Sequence, residues 1–422
     1  MAKYAIDLTP LKKYPDFRNL WTAGLISYFG SMITYVALPF QLKELTGSYL
    51  AVGLLGVVEI VPLIIFGLYG GVLADSVDRK KMVWATEAGA LILVLVLLGN
   101  SLLGSPTTLA IYLVAALFAV VDGLQRPSMD AMLPRLVSHE DLPAASALLS
   151  LRWQLGVIVG PTIGGIIFST MSVSAGYVVD IATYLLSLFF LARVGSIARS
   201  KEAEKPSLAA LLDGVKYAFR RQDLLGTYII DLAAMTLAMP MALYPFWADE
   251  LNAPWALGMF YAAITVGSVI VTLTSGWTRT YRFHGRAVIL AAMGWGLAIA
   301  AAGLSNSLIL VLLFLTIAGA SDMVSALFRG NIWNQTIPDN FRGRLAGIEL
   351  LSYSVGPLAG QLRAASMAAA TTLSISVTSG GLMCVVVVAL LAIFLPKMWK
   401  YDVQTNEFAV REREIRKNRE IS

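Results

Sequence analysis

Charged side chains recur inside long apolar stretches of this 422-residue chain. An ionised group there is costly unless it faces water or a partner. Asp122, Arg126 and Asp130 follow one another at intervals of four, so on a helix they share one face and can pair. Asp322 and Arg329 lie seven residues apart in a later apolar stretch and also share a face. Such groups are typical of ion pairs that hold helices together, or of carboxyls that carry protons.

Four further charges lie in the apolar stretches, namely Arg152, Arg363, Glu59 and Asp231. The last two have no base within a helical turn, which favours them as proton carriers. A fixed ion pair is the alternative for every charge in these stretches. The candidate proton carriers are therefore Asp231, Glu59, Asp122 and Asp322, and the candidate ion-pair partners are Arg126, Arg152, Arg329 and Arg363.

Composition sets the class of protein. Hydrophobic residues make up 57% of the chain and charged residues only 14%, against roughly a quarter charged in soluble proteins. The chain is therefore predicted to be an integral membrane protein. One cysteine, Cys384, and two histidines, His139 and His284, exclude a cysteine-rich zinc site, an iron–sulfur cluster and a histidine metal site, so we expect no metal and no cofactor.

The elements that position these charges are apolar runs of roughly twenty residues, the length of a membrane-spanning helix. Twelve such runs predict an all-α membrane protein with short antiparallel connections. The predicted spans are 19–41, 50–74, 82–103, 107–134, 143–170, 174–194, 223–248, 254–279, 286–304, 307–336, 344–369 and 372–396.

Basic residues fall almost entirely on one side of this topology. By the positive-inside rule, both termini are predicted to be cytoplasmic in a cell (plasma or inner) membrane. The polar stretch 198–222 divides the spans into two groups of six and predicts either a helix on the cytoplasmic leaflet or a partly ordered linker. The predicted domains are a bundle over 1–197, the linker 198–222, a bundle over 223–396, and a charged cytoplasmic tail over 397–422, expected to be disordered or at the membrane surface.

The two halves repeat each other at an offset of about two hundred residues. RPSMDAMLPR (126–135) precedes GVIVGPTIGG (156–165), and RGNIWNQTIP (329–338) precedes SYSVGPLAGQ (352–361). Duplicated six-helix halves are typical of secondary transporters that rock two bundles about a central site. A primary pump or nucleotide-driven enzyme would need a phosphate-binding G-x-x-x-x-G-K-[ST] loop, which is absent, so we expect no enzymatic activity.

Small residues line one face of the fifth predicted span. Gly156, Gly160 and Gly164 recur every four residues, and Pro161 can bend the helix. Gly356 and Pro357 are the counterparts in the eleventh span. Close helix packing explains this glycine stripe. The functional interpretation adds that the stripe meets the other bundle and slides against it.

Aromatic side chains are the remaining material for a solute cavity. An apolar and aromatic lining with few charges suits a bulky amphipathic solute. The alternative for each aromatic is a position facing lipid or the membrane interface. The candidates are Tyr28, Tyr35, Trp153, Tyr244, Trp247, Tyr261 and Trp333.

GVLADSVDRKK (71–81) resembles the loop between the second and third helices of the major facilitator superfamily. GVIVGPTIGG resembles the fifth-helix signature of its proton-driven exporters, and the first span together with MLPRLVSHEDLPAASAL (132–148) resembles the branch that holds enterobactin and macrolide exporters. The resemblance implies two pseudo-symmetric six-helix bundles that need no second chain. It also implies a cytoplasmic gate.

The implied gate consists of Gly71, Asp75, Arg79 and Asp130. Asp75 would lie against the N-terminus of the eleventh helix, where free amides and the helix dipole favour a carboxylate. Arg79 would pair with Asp130. A purely topogenic basic loop is the alternative.

The expected function is export of a siderophore or lipophilic drug by alternating access, in exchange for protons. Import of a small solute by the same fold is the main alternative, and a channel or non-transporting receptor explains less of the pattern. The expected partners are the lipid bilayer, the small-molecule substrate and protons, with no nucleic acid and with a functional monomer.

Overall fold

The computed structural model describes residues 7–76, 78–195 and 216–421. Within these ranges it does not describe the side chains of residues 68–76, 127, 130, 131, 339–344, 346–353 and 416–421. Helices account for most of the described residues, and none of these residues forms a strand. The predicted linker helix lies largely in 196–215, outside the described residues.

The helices of the first half are α1 (Thr9–Lys13), α2 (Pro15–Thr46), α3 (Tyr49–Ser76), α4 (Arg79–Ser101), α5 (Thr108–Leu136), α6 (Leu142–Thr170) and α7 (Val173–Ala192). Those of the second half are α8 (Gln222–Ala238), α9 (Tyr244–Glu250), α10 (Leu257–Leu273), α11 (His284–Gly303), α12 (Leu308–Thr336), α13 (Asp339–Ala370), α14 (Leu373–Phe394), α15 (Pro396–Trp399) and α16 (Glu407–Ile421).

Eleven helical stretches among the described residues are long and apolar enough to cross a membrane. They are α2 to α7, α11, α12 and α14, together with Gln222–Glu250, which is interrupted by a short turn, and Pro254–Leu273, which begins with a single 3-10 turn. The 32-residue helix α13 occupies the position of the predicted eleventh span. The all-α, twelve-helix membrane fold predicted from the sequence is therefore confirmed.

The chain divides into two compact units. The first contains residues 1–205 and 248–262, and the second contains 206–247 and 263–422. The division passes through the seventh and eighth spans, because the turn between them belongs to the first unit. The domain boundaries predicted from the sequence stay a prediction.

Each unit repeats the same helix pairings. In the first unit α2 packs on α6 and α7, and α4 packs on α5 and α7; in the second, α8 packs on α13 and α14, and α11 packs on α12 and α14. The last span of each half also begins with the same cap: the Ser172 hydroxyl accepts from the Ala175 amide at 3.1 Å, and the Thr372 hydroxyl accepts from the Ile375 amide at 3.2 Å. A side-chain acceptor at this position satisfies an amide that the helix itself leaves unpaired.

The charged tail is not disordered over residues 396–415. The Arg221 guanidinium lies 3.7 Å from the centroid of the Phe408 ring and forms a salt bridge with Asp223 at 2.7 Å. The Asn406 amide donates to Asp223 at 3.3 Å. The expectation of disorder was wrong for these residues, because docking depends on a buried arginine and one aromatic ring rather than on a long apolar stripe. A position of the tail at the membrane surface stays a prediction.

Candidate functional site: polar clusters within the membrane-spanning helices

In the first unit, five of the predicted site residues come together around α2. Tyr28 interacts electrostatically with Asp122 and Arg126 on α5, with Arg152 on α6, and with Tyr35 on its own helix. These residues are distant in sequence but lie at similar depth, since Asp122 is the central residue of the 29-residue helix α5. We call these five residues the first-unit polar cluster.

Several members of the first-unit polar cluster are accessible although they lie mid-membrane. Asp122 and Arg126 are exposed, Tyr35 is 39% exposed, and the neighbouring Trp153 is 51% exposed. A charge at this depth that is not buried in protein faces a water-filled space rather than hydrocarbon. The cluster therefore combines accessible charges with accessible aromatic rings near the middle of the spans.

Glu59 on α3 joins this cluster and does not stand alone. It interacts electrostatically with Asp122 and lies near Tyr35. The sequence showed no base within a turn of Glu59, and the structure instead brings a second acid beside it. Two carboxyls and the Arg126 guanidinium thus share one region of the first unit.

In the second unit, Asp231 on α8 forms a buried ion pair with Arg329 on α12. Arg329 Nη2 also lies 3.9 Å from Asp322 Oδ1 on the same helix, as the seven-residue spacing predicted. Asp231 was favoured as a proton carrier because its own helix supplies no base. The absence of a base on α8 does not leave Asp231 unpaired, because its base comes from a neighbouring helix. Spacing along one helix does not reveal such a partner.

Arg363 on α13 pairs with backbone rather than with an acid. It donates to the Ser376 carbonyl at 3.0 Å, and Gly380 of α14 leaves room for its guanidinium, with Nη1 2.7 Å from where a Cβ would lie. This contact joins α13 to α14. The role of this contact is structural, and both helices belong to the second unit.

The aromatic candidates divide by accessibility. Tyr244, Trp247 and Tyr261 are buried, at 0%, 3% and 4% exposure. Trp333 donates from Nε1 to the Thr227 hydroxyl at 2.8 Å and stacks on Tyr228, with ring centroids 5.3 Å apart. These four therefore pack within protein, whereas Tyr28, Tyr35 and Trp153 are partly or largely accessible.

The glycine stripe of α6 packs against α2. A Cβ on Gly156 would collide with the Tyr28 ring, one on Gly160 would lie 2.8 Å from the Phe29 carbonyl oxygen, and one on Gly164 would lie 3.4 Å from Ile33 Cα. In the second unit, a Cβ on Gly356 would lie 2.9 Å from Met235 Cβ on α8. The spacing predicted that this face meets the other bundle, but the contacts seen here are with α2, within the same unit.

A different residue of α6 meets the segment 254–262. Gly165 lies directly against Gly258, with the Gly258 amide nitrogen 2.6 Å from a Cβ placed on Gly165. Gly258 in turn packs against the Pro161 carbonyl. Gly165 lies one residue, or about 100°, round the helix from Gly164, so this contact is made beside the stripe and, like the stripe's own contacts, lies within the first unit.

The predicted cytoplasmic gate lies mostly outside the described residues. The side chains of Gly71, Asp75 and Asp130 belong to the part that the structure does not describe. Arg79 is the first residue of α4, where the Asp78 carboxylate caps the helix by accepting from the Lys80 and Lys81 amides at 2.9 and 3.3 Å. The gate stays a prediction.

Two buried acids escaped the sequence analysis, Glu87 on α4 and Asp180 on α7. Glu87 is 5% exposed and Asp180 is 0% exposed. The Glu87 carboxyl accepts from the Ser27 hydroxyl at 3.0 Å and from the Gln125 amide at 2.9 Å. The sequence does contain a signal for both residues, since each is the only acid within its apolar span.

The described residues contain no cluster of side chains suited to a metal ion. Among the described residues, no group of three or more histidine, cysteine, aspartate or glutamate side chains could hold a metal ion.

A family model described as transmembrane secretion effector matches residues 5–419. The chain belongs to this family. The family match, which spans nearly the whole chain, makes it a secondary transporter of the major facilitator superfamily and not an enzyme. The resemblance found in the sequence is confirmed.

Relatives in this family extend over nearly the whole chain. The enterobactin exporter EntS of Shigella boydii serotype 18 is 28% identical over 400 residues, which cover 94% of this chain and 96% of that protein. EntS of Escherichia coli O81 gives the same identity and coverage.

Solved structures show the same fold at low sequence identity. The nucleoside transporter NupG aligns with a TM-score of 0.69 and 14% identity, covering 92% of this chain and 100% of that one. A bacterial homologue of the iron transporter ferroportin, in an inward-facing state, aligns with a TM-score of 0.68 and 15% identity, covering 91% and 98%.

We predict that Gly160→Leu destabilises the first unit. A branched side chain would push into α2 at Met32 and Phe29, and overpacking typically costs ~1–3 kcal/mol. Thermal unfolding of the purified chain should show a lower midpoint, with transport impaired. Gly99→Leu is the matched control, because no atom lies within 4 Å of a Cβ placed there. Equal midpoints for the two variants would contradict the packing described for α6.

We predict that Asp231→Leu is strongly destabilising, because it removes the acid paired with Arg329 inside the second unit. Breaking a buried ion pair from one side typically costs ~3–5 kcal/mol, whereas replacing both partners by apolar residues is often neutral. The double variant Asp231→Leu with Arg329→Met should therefore unfold at a higher temperature than Asp231→Leu. Additive losses in the two single variants and the double variant would show that the pair is not coupled.

Proposed function

We propose that this transporter exports a bulky amphipathic solute by alternating access, in exchange for protons. The observation that carries the proposal is the first-unit polar cluster, where Asp122 and Arg126 are exposed at the middle of the membrane beside accessible aromatic rings. A fixed structural ion pair would be expected to be buried. An exposed pair at this depth suits a site that alternates between water and solute.

The solute class follows from the chemistry of the cluster. The rings of Tyr28, Tyr35 and Trp153 offer flat apolar surface, and beside it Asp122 offers an acceptor and Arg126 a donor. This combination suits a large molecule with aromatic and polar parts. A siderophore fits best, because the relatives are enterobactin exporters, and a lipophilic drug is the second class of solute.

The proposal also includes the direction of transport and the orientation of the chain in the membrane. Export is supported by the names of the relatives, and the distribution of basic residues favours cytoplasmic termini in the cell membrane. A single chain contains both halves of the repeat, so a monomer suffices.

Proton exchange is assigned first to the carboxyls of the cluster. Glu59 lies near Asp122, and Asp122 has Arg126 as its base, so an ionised Glu59 is the excess acid beside this pair. Uptake of one proton removes that excess, and a cationic or donor-rich part of the solute can replace the proton. Asp231 and Asp322, which share Arg329, are the corresponding candidates in the second unit.

Accumulation assays in cells test the function directly. Cells that overexpress the chain should retain several-fold less enterobactin or erythromycin than cells that lack it, and a proton uncoupler should abolish the difference. Asp122→Asn should also abolish it at equal membrane abundance. Glu414→Gln, a change at an exposed residue of α16, is the control and should behave as wild type.

Increased retention on overexpression would show import instead. Unchanged retention of both compounds would reject these two solutes. Normal export by Asp122→Asn at native abundance would remove the first-unit polar cluster from the proposal.

A further inference from the structure

A second polar region lies within the first unit, beside the accessible cluster, with which it shares Arg152. It contains Glu87 of α4 and Asp180 of α7, both buried. Neither acid forms a salt bridge with a described residue. Asp180 instead accepts hydrogen bonds from the hydroxyls of Thr34 on α2 and Thr183 on its own helix, the latter at 3.1 Å.

Hydroxyl groups on one face of α2 connect the two acids. Ser27, Ser31 and Thr34 are spaced by four and three residues, so they share a face. Ser27 donates to Glu87, Ser31 is 2.7 Å from the Tyr184 hydroxyl, and Thr34 donates to Asp180. The seven residues from Ser27 to Thr34 rise about 10 Å along the helix axis. The acids are therefore held at different depths by one continuous row of hydroxyls.

The Glu87 end has an unsatisfied position. Glu87 Oε2 is buried without a hydrogen-bond partner among the described residues, and so is the Oγ of Ser187, which is 0% exposed and faces the same carboxyl. A buried polar atom without a partner destabilises the folded chain. The Ser187 hydroxyl can donate to an ionised Oε2 and can accept from a protonated one, so this contact accommodates both states of the carboxyl.

The balance of charges also favours protonation of this region. Arg152 of α6 faces Glu87, and Tyr177 and Tyr184 of α7 face Asp180; Tyr184 also interacts with Glu87 and with Asp122 of α5. Asp122 has its own base in Arg126. This leaves Glu87 and Asp180 with one facing guanidinium, that of Arg152, so one excess negative charge remains when both are ionised. Uptake of one proton makes the buried region neutral, which is the favourable state in a low dielectric.

We propose that Glu87, Asp180 and the hydroxyls of Ser27, Ser31 and Thr34 form a second proton-binding site, which holds one exchangeable proton inside the first unit. The step is reversible protonation: a carboxylate takes a proton from a hydronium ion and releases water, with no other bond made or broken. The site rests on the proposed proton exchange for its role in transport. Its existence is independent of which solute is carried.

Infrared difference spectroscopy tests the site without any solute. The full chain, purified and placed in phosphatidylcholine vesicles, is stepped between acid and alkaline pH, and the carbonyl band of protonated carboxyl groups is recorded. We expect a band that disappears at alkaline pH and shifts in heavy water. Glu87→Gln and Asp180→Asn should each remove or displace this component. Glu59→Gln and Asp122→Asn should leave it in place.

A structural role would give a different result. Ser27→Ala keeps both acids but breaks the hydroxyl row, so it should move the pH at which the band disappears, whereas a purely structural hydroxyl would leave that pH unchanged. Ser27→Ala also serves if Glu87→Gln fails to fold. A spectrum in which the pH-dependent band is absent, or is lost only in the Glu59 and Asp122 variants, would overturn the proposal.

The outcome is distinguishable from failure of the proposed function. A band that depends on Glu87 and Asp180, in a chain that exports neither enterobactin nor erythromycin, would leave the proton site standing and reject the solutes. Export of either compound by a chain without such a band would reject the proton site and support the proposed solutes.

Discussion

The cost of placing an ionised side chain in hydrocarbon governs how the charges of this chain are arranged. Three arrangements recur among the described charges within the spans: a partner from another helix, an accessible surface, and hydroxyl donors. Asp231 takes the first, Asp122 the second and Asp180 the third. The helix pairings follow from this, because α2, α5, α6 and α8 carry the groups that complete each arrangement.

Close packing of α2 with α6 is the second constraint, and it depends on the glycines. Gly156, Gly160 and Gly164 let the α6 backbone approach Tyr28, Phe29 and Ile33 of α2, which places Arg152 on the same side as Tyr28. The second unit repeats the device with Gly356 against Met235. Packing and charge placement are thus linked, since the residues that set the distance between helices also bring together the groups that carry charge.

Local spacing predicted the spans, the internal repeat and the pairing of Asp322 with Arg329, because each depends on residues within one helix or on a simple offset. It failed where a neighbouring helix decides the outcome. Asp231 acquires Arg329 from α12, Glu59 lies beside Asp122 of α5, and the glycine stripe faces α2. The docked tail was missed because one arginine and one ring, Arg221 and Phe408, replace the apolar stripe that a periodicity argument requires.

Exchange of solute for protons is the central claim, and it is tested most directly in reconstituted vesicles that contain a trapped pH-sensitive dye. Enterobactin or erythromycin, whichever the cells export, is added on one side with no imposed pH gradient. The account predicts proton movement opposite to the solute, and solute movement without proton movement in a Glu59→Gln, Asp122→Asn double variant. Solute transport by the wild-type chain with no proton movement, or with protons moving in the same direction as the solute, would contradict it.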